Sequence, residues 1–414
     1  MERVILFLSL VAASTVLSEN TLLLTQVVWR HGDRAPTTTY PTDVHKENAW
    51  PNGWGELTQL GMSQHFALGK LLKARYVDNQ PGFLNRRYAA KQVYVHSTDY
   101  NRTLISAISN LAGMFPVGAP GSDFPNASFW PSNWTPIPVH TVKFDTDYVG
   151  NMWADCPRKT ELDRFVESSE EYQKVVAENK EFFEFLSNKT GMSVGMYEMY
   201  TLYDTYYIES KYNLSQPEWL TENVAKQLWN LTHLKNEFNY GISKPYVPEL
   251  IKLRGGPLLK EMVERMLAKQ QCIQEPSDSC QWIAQLKYFA YSAHDTTLAG
   301  FLATLGDEEE VIGGIALPQY TAAIAVELWN LTDVGLAVKI LFHPGFNQEF
   351  HTITGLTKGC PPNQEFCPLN QFHERSKLFM PNDMQEDCRP KNRRHNRTHL
   401  QNNTKWRAVE VNNQ

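Results

Sequence analysis

The sequence lacks the marks of a membrane-spanning or nucleic-acid-binding chain. Beyond the first eighteen residues, no segment supplies the roughly 20 apolar residues that a spanning helix needs. The apolar stretch from Ile312 to Leu328 is broken by Pro318, Gln319 and Tyr320. No run of five or six like charges occurs. A net charge of −6 argues against nucleic acid as the main partner, since that partner would favour a basic face. The nearest charge run is Lys391-Asn392-Arg393-Arg394-His395, which opens a polar tail over 391–414. No internal repeat or low-complexity tract stands out. No Cys-x-x-Cys or Cys/His ligand spacing is present, so a structural zinc site of the usual kind is not expected.

What is there fits a large exported domain. The 414 residues suffice for one α/β domain with a sizeable insertion, or for two domains. Arg3 is followed by an apolar stretch from Val4 to Val16, with small residues at Val16 and Ser18. Residues 1–18 therefore read as a signal peptide cleaved near Ser18-Glu19. Nine Asn-x-Ser/Thr sequons occur, at Asn101, Asn126, Asn133, Asn188, Asn213, Asn230, Asn330, Asn396 and Asn402. The six cysteines permit 15 pairings. Cys272/Cys280 and Cys360/Cys367 are close enough in sequence to close short loops, which would leave Cys156 to meet Cys388. Free core thiols are the alternative, and the poorer one in an exported chain.

Periodicity gives the organisation. Thr21 to Trp29 is a continuous apolar, β-branched run, as in a buried parallel strand. Thr58 is an N-cap candidate for a helix to about Tyr76. Gln92 to His96 is a short strand, and Ser97-Thr98-Asp99 offers caps for a helix through Ser106 to Leu111. This is the rhythm of a parallel sheet. Residues 160–268 carry mostly helical patterns. Trp282 to Ser292 returns to strand character, Thr297 to Leu305 is helical, and Ala322–Trp329 with Gly335–Phe342 suggests an antiparallel hairpin on the sheet edge. The expected fold is an α/β three-layer sandwich with a mostly parallel sheet. Its core spans 19–150 and 270–390, with a helical insertion over 151–269.

Three polar clusters follow three of these strands: Arg30 to Pro36, Ser97 to Arg102, and His294-Asp295. Ligands of open α/β sheets sit at the carboxyl ends of strands. If the strands are parallel neighbours, two His, three Arg and several Asp converge. Guanidinium groups hold phosphate or carboxylate bidentately and stabilise a phosphoryl group in transfer. Cations beside His31 favour its neutral, nucleophilic form. An Asp beside the second His can protonate a departing alkoxide.

Arg-His-Gly-x-Arg-x-Pro at Arg30 to Pro36 resembles the signature of the histidine acid phosphatases. Five fixed positions would arise by chance in roughly 1 in 10⁴ chains of this length. Trp50 to Met62, His96 to Ala107, Trp134 to Val142, Leu253 to Leu258 and Tyr291 to Thr297 extend the resemblance to the prostatic and lysosomal branch, over residues 21–390. It implies hydrolysis of small phosphate monoesters without metal or organic cofactor. It implies His31 as nucleophile and Asp295 as proton donor. Arg30, Arg34, Arg102 and His294 would hold the phosphate. It further implies the bridges Cys156/Cys388 and Cys360/Cys367, whereas Cys272/Cys280 rests on proximity alone.

Some positions stay open. Arg102 has an alternative partner in Asp99. Asp33 reads as structural, capping or holding a neighbouring Arg. His96 stands where the family pattern has arginine, and lies at a pocket edge or on the surface. Asn101 is expected to escape glycosylation at a buried helix start, leaving Asn126, Asn133, Asn188, Asn213, Asn230 and Asn330. The segment matching Trp134 to His140 forms a homodimer interface in the prostatic and lysosomal branch, and a glycan at Asn133 would oppose that contact. Competing functions are a phytase or a lipid- or sugar-phosphate phosphatase on the same scaffold, or an inactive secreted binding protein. His294-Asp295-Thr296-Thr297 favours the acid phosphatases over phytases, whose motif has Asn in the last place.

Overall fold

The computed structural model describes residues 20–313 and 317–391. The expected signal, the sequons at Asn396 and Asn402, and the tail after Lys391 lie outside them. The central sheet has eight strands: β1 (Thr21–Arg30), β2 (Val93–Ser97), β3 (His140–Thr141), β4 (Tyr288–Ala293), β5 (Ala323–Leu331), β6 (Gly335–His343), β7 (His351–Thr352) and β8 (Cys367–Pro368). Their order is β3-β2-β4-β1-β5-β6-β7, with β8 on β6. The half from β3 to β1 is parallel. The remaining strands add antiparallel pairs. The expected hairpin is β5–β6, but β5 is interior, bonded to both β1 and β6. The outermost strand on that side is the two-residue β7.

Both faces of the sheet are covered, which makes three layers. Helices α1 (Gln59–Lys73) and α2 (Asn101–Met114) pack on one face. Leu68, Leu72, Ala107 and Leu111 meet Val27, Trp29, Val93 and Val95 there. On the other face Leu24 and Val28 meet residues from two further helices, Gly256–Gln274 and Asp295–Leu305. Side chains alternate along β1, as a strand requires. Leu22 and Leu24 break the alternation because the pairing with β5 shifts register between them.

The α-helices after α2 among the described residues are α3 (Pro157–Glu167), α4 (Glu170–Glu178), α5 (Lys180–Thr190), α6 (Met199–Lys211), α7 (Glu222–Tyr240), α8 (Pro248–Arg254), α9 (Gly256–Gln274), α10 (Gln281–Gln285), α11 (Asp295–Leu305), α12 (Glu308–Ile312), α13 (Leu369–Ser376) and α14 (Met384–Asp387). Leu162, Leu186, Leu202, Leu228 and Leu250, from α3, α5, α6, α7 and α8, share a separate apolar cluster. α9 instead turns Met262, Val263 and Met266 onto the sheet. Three disulfides form: Cys156–Cys388, Cys272–Cys280 and Cys360–Cys367.

Local expectations fared unevenly. Thr58 does cap α1, accepting from the Gly61 amide. The helix after β2 begins later than expected: its N-cap is Tyr100, and no side chain caps it. Thr98 is occupied elsewhere, as described below. Only Tyr288–Ala293 of the expected Trp282–Ser292 strand is extended, because residues 281–285 form α10. Asn126, Asn133, Asn188, Asn213, Asn230 and Asn330 are all exposed. So is Asn101, contrary to the expectation of a buried helix start, and its amide bonds Glu56 at 3.0 Å.

α6 locks the loop that follows β1. Asp204 pairs with Arg34, Lys211 with Asp33, and Glu209 hydrogen-bonds Asp43. Burial, then the Asp43 charge, pushes Glu209 up to about 8. The unfolded group titrates near its ordinary value, about 4.3. Between those values the native state holds a proton that the unfolded chain has released. Stability from this group is therefore complete at low pH and lost as pH rises toward 8. Glu209→Gln should raise the melting temperature relative to wild type at pH 8 and not at pH 4.5. Each kcal/mol corresponds to about 2–4 °C. Equal effects at both pH values would refute the shift.

Candidate active site

β2, β4 and β1 are parallel neighbours, with Ser97 opposite Ser292 and Arg30 opposite Ala293. Their carboxyl ends therefore lie side by side and bring the three polar clusters together. The chain leaves β1 under tight restraint. The His31 amide donates to the Ala293 carbonyl at 3.0 Å, and the His31 carbonyl accepts from Thr321 at 3.3 Å. Gly32 then passes against Gly61 in the first turn of α1. A Cβ on Gly32 would stand 2.4 Å from the Gly61 carbonyl oxygen, and one on Gly61 would stand 2.2 Å from that of Asp33. The glycine of the signature is thus demanded by backbone-to-backbone contact.

The His31 ring is oriented by its own loop. Nδ1 lies 2.8 Å from the Gly32 carbonyl oxygen. A carbonyl only accepts, so Nδ1 carries the proton and the lone pair of the neutral ring sits on Nε2. Burial, then Arg102, Arg30 and Arg34, holds His31 well below its ordinary value. Burial is thus a larger cause than the neighbouring cations that the sequence displays. His294 stands edge-on to His31 with ring centroids 5.6 Å apart. It too is held well below the ordinary value by burial and the same arginines, Arg102 foremost.

Thr98 fixes the second histidine. Its hydroxyl donates to Thr103 Oγ1 at 3.0 Å, and Thr103 donates onward to the Thr98 carbonyl at 2.9 Å. Thr98 Oγ1 is left to accept from His294 Nε2, 3.0 Å away. This couples the end of β2 to the end of β4.

The three arginines are held differently. Arg30 donates through Nη1 to the Pro318 carbonyl at 2.6 Å, pairs through Nη2 with Asp295 at 2.9 Å, and lies over the Tyr320 ring. Arg34 makes a two-pronged bond to Asp204, at 2.9 and 3.0 Å, and reaches Tyr200 Oη at 3.1 Å. Arg102 lies over the Tyr100 ring, 4.3 Å from its centre, rather than beside Asp99. It has no carboxylate partner among the described residues. Burial would lower all three. Burial is the largest cause on Arg30 and Arg34, but the groups led by Asp295 on Arg30 and by Asp204 on Arg34 together overcome it, so both end raised, while Arg102 ends lowered, with Arg34 as the next cause. On each of the three, Nε is buried without a hydrogen-bond partner. Three N–H donors left so in one pocket suit a multi-oxygen anion.

Asp33 takes no part in holding Arg34. It accepts from Lys211, Tyr212 and Thr58, and so supports the residue that caps α1. His96 is half-buried and bonds Asp147 at 3.2 Å. Sequence reasoning missed Asp204, Tyr200, Pro318 and Tyr320. Asp204 meets Arg34 across 170 residues, and only its place on a buried helical face marked it.

The model of the histidine phosphatase superfamily (branch 2) matches residues 21–343, from β1 to the end of β6. The chain belongs to that family. The lysosomal acid phosphatase of Xenopus laevis is 33% identical over 386 residues, 93% of this chain and 82% of that one. The prostatic acid phosphatase of Homo sapiens is 36% identical over 367 residues, 87% and 86% of the two chains. In structure, the apo phytase of Hafnia alvei superposes with a TM-score of 0.60 at 17% identity. That match covers 90% of this chain and 99% of the phytase. At that identity the likeness shows the shared fold. For this family member we expect Asp204→Asn, which keeps the shape and removes the charge, to weaken inorganic phosphate binding about tenfold. Titration calorimetry on both proteins measures it. Unchanged affinity would mean that Arg34 needs no anchor on α6.

Proposed function

We propose that this chain is an acid phosphatase hydrolysing phosphate monoesters through a phosphohistidine on His31. The observation that carries the reading is a neutral imidazole with its lone pair on Nε2, set among three arginines with unpartnered Nε donors. In the first step Nε2 attacks phosphorus, the bond to the leaving oxygen breaks, and Asp295 gives that oxygen its proton. In the second, a water gives a proton to the Asp295 carboxylate and attacks the phosphorus. The P–N bond breaks, and inorganic phosphate leaves. Arg30, Arg34 and Arg102 hold the equatorial oxygens throughout, and His294, whose Nε2 proton is engaged by Thr98, lines the pocket beside His31. An inactive binding protein would have no need of both His31 and Asp295 in one pocket.

The proposal extends to context. Three disulfides, seven exposed sequons among the described residues and relatives named lysosomal and prostatic support an exported, glycosylated protein of an acidic or extracellular lumen. No helix among the described residues is long and apolar enough to cross a membrane. We assign 1–18 as signal peptide, 19–150 and 270–390 as the phosphatase core, 151–269 as a mostly helical insertion whose last helix, α9, packs on the sheet, and 391–414 as a tail. A homodimer through the segment Trp134 to His140 belongs to the same proposal. Trp134 is exposed there.

The test is turnover of p-nitrophenyl phosphate without added metal, with acid quench to trap the phosphoenzyme. Wild type should do both and His31→Ala neither. Retention of most of the rate by His31→Ala would overturn the mechanism. Asp295→Asn should lose about 10²–10⁴-fold on an alkyl phosphate and far less on p-nitrophenyl phosphate, whose leaving group needs little help. Equal losses on both would remove Asp295 as the acid. Because His31 and His294 stay neutral well below 6.5, kcat/KM should show no decline on acidification from pH 6.5 to 5.

A further inference from the structure

A second cluster of chemistry-bearing side chains lies away from the catalytic pocket. His233 and Glu237 stand one turn apart on α7 and bond each other, Nε2 to Oε1, at 3.2 Å. Glu309 comes to them from α12. The ligand atoms of these three residues all lie within 4.8 Å of one another. The His233 ring is stacked on Trp229, with planes 10° apart, which limits how it can turn.

A separate observation points to a ligand. Glu308, the neighbour of Glu309, is 7% exposed, and its Oε2 is buried without any hydrogen-bond partner. A buried carboxylate oxygen without a donor is costly. Of the charges acting on it, Glu237, Glu309 and Asp307 are of its own sign, and only His233 opposes them. α12 has thus brought an acid into an acidic niche with nothing positive enough to balance it.

We propose that His233, Glu237 and Glu309 bind one divalent cation of the zinc class, with the charge of the buried Glu308 beside them and water completing the coordination. Imidazole with carboxylates suits zinc better than calcium, which takes oxygen ligands. Bonds near 2.1 Å to a tetrahedral ion need ligand atoms about 3.4 Å apart. Half-buried and exposed side chains reach this by small rotations. The ion would fasten α12 to α7, two elements far apart in the chain. The sequence alone conceals such a site. His-x-x-x-Glu is a common helical pair, and the third ligand comes from another element.

The experiment uses the full mature chain stripped with chelator, then titrated with zinc alone by calorimetry and with cobalt(II) by visible absorption. Wild type should bind one equivalent with a tetrahedral cobalt spectrum, and zinc should raise its melting temperature. Glu309→Gln, at an exposed position, and His233→Ala should each weaken zinc binding at least about tenfold. Both should keep turnover of p-nitrophenyl phosphate. Binding of equal strength in wild type and both variants, or no binding to wild type, overturns the proposal. Glu309→Gln tests it even if His233→Ala fails to fold.

Discussion

Three guanidinium groups buried within one pocket repel one another, and much of the architecture answers that constraint. Two carboxylates oppose them, Asp295 on Arg30 and Asp204 on Arg34. One positive charge is left over, on the side of Arg102, whose support is the face of Tyr100. A pocket balanced to neutrality would not attract an anion, and one with three bare cations would not fold readily. The surplus of one, with three Nε donors unpartnered, leaves the site short of an anionic ligand while the protein remains folded.

That balance depends on elements far apart in sequence. Asp295 opens α11, so its place follows from the end of β4. Asp204 is on α6, within the helical cluster, and only docking of α6 onto the loop after β1 brings it to Arg34. Lys211 to Asp33 and Glu209 to Asp43 complete the docking. The helical region thus does more than cover the sheet. It supplies the counter-charge without which Arg34 would be an uncompensated buried cation. The near contact of Gly32 with Gly61 serves the same geometry, since any side chain there would lift the loop off α1.

The legible parts were those with local signals. β1 is a continuous apolar run because both its faces are buried, and Thr58 caps α1 because its hydroxyl meets the Gly61 amide. The signature was legible because consecutive residues share one loop. What was illegible came from competition or distance. Ser97-Thr98-Asp99 looked like a cap, but Thr98 spends its hydroxyl on Thr103 and its lone pair on His294, and the helix starts later without one. Asp33 sits beside Arg34 in sequence yet turns to Lys211, because Asp204 already holds the guanidinium on both prongs. Tyr320 and Pro318 precede β5 and reach Arg30 only because β5 lies beside β1.

The pairing of Arg30 with Asp295 has a consequence for the proposed chemistry. Arg30 has two claims upon it. Its Nη2 faces Asp295, and its Nε has no partner in the protein. A phosphate seated on the arginines would bring negative charge beside Asp295 and compete with it for the guanidinium. One cation thus both seats the anion and sets the place of the carboxyl. Arg30 ties the position of the proposed acid to the position of the phosphate, and the bond from β1 to the start of α11 is what fixes the two relative to each other.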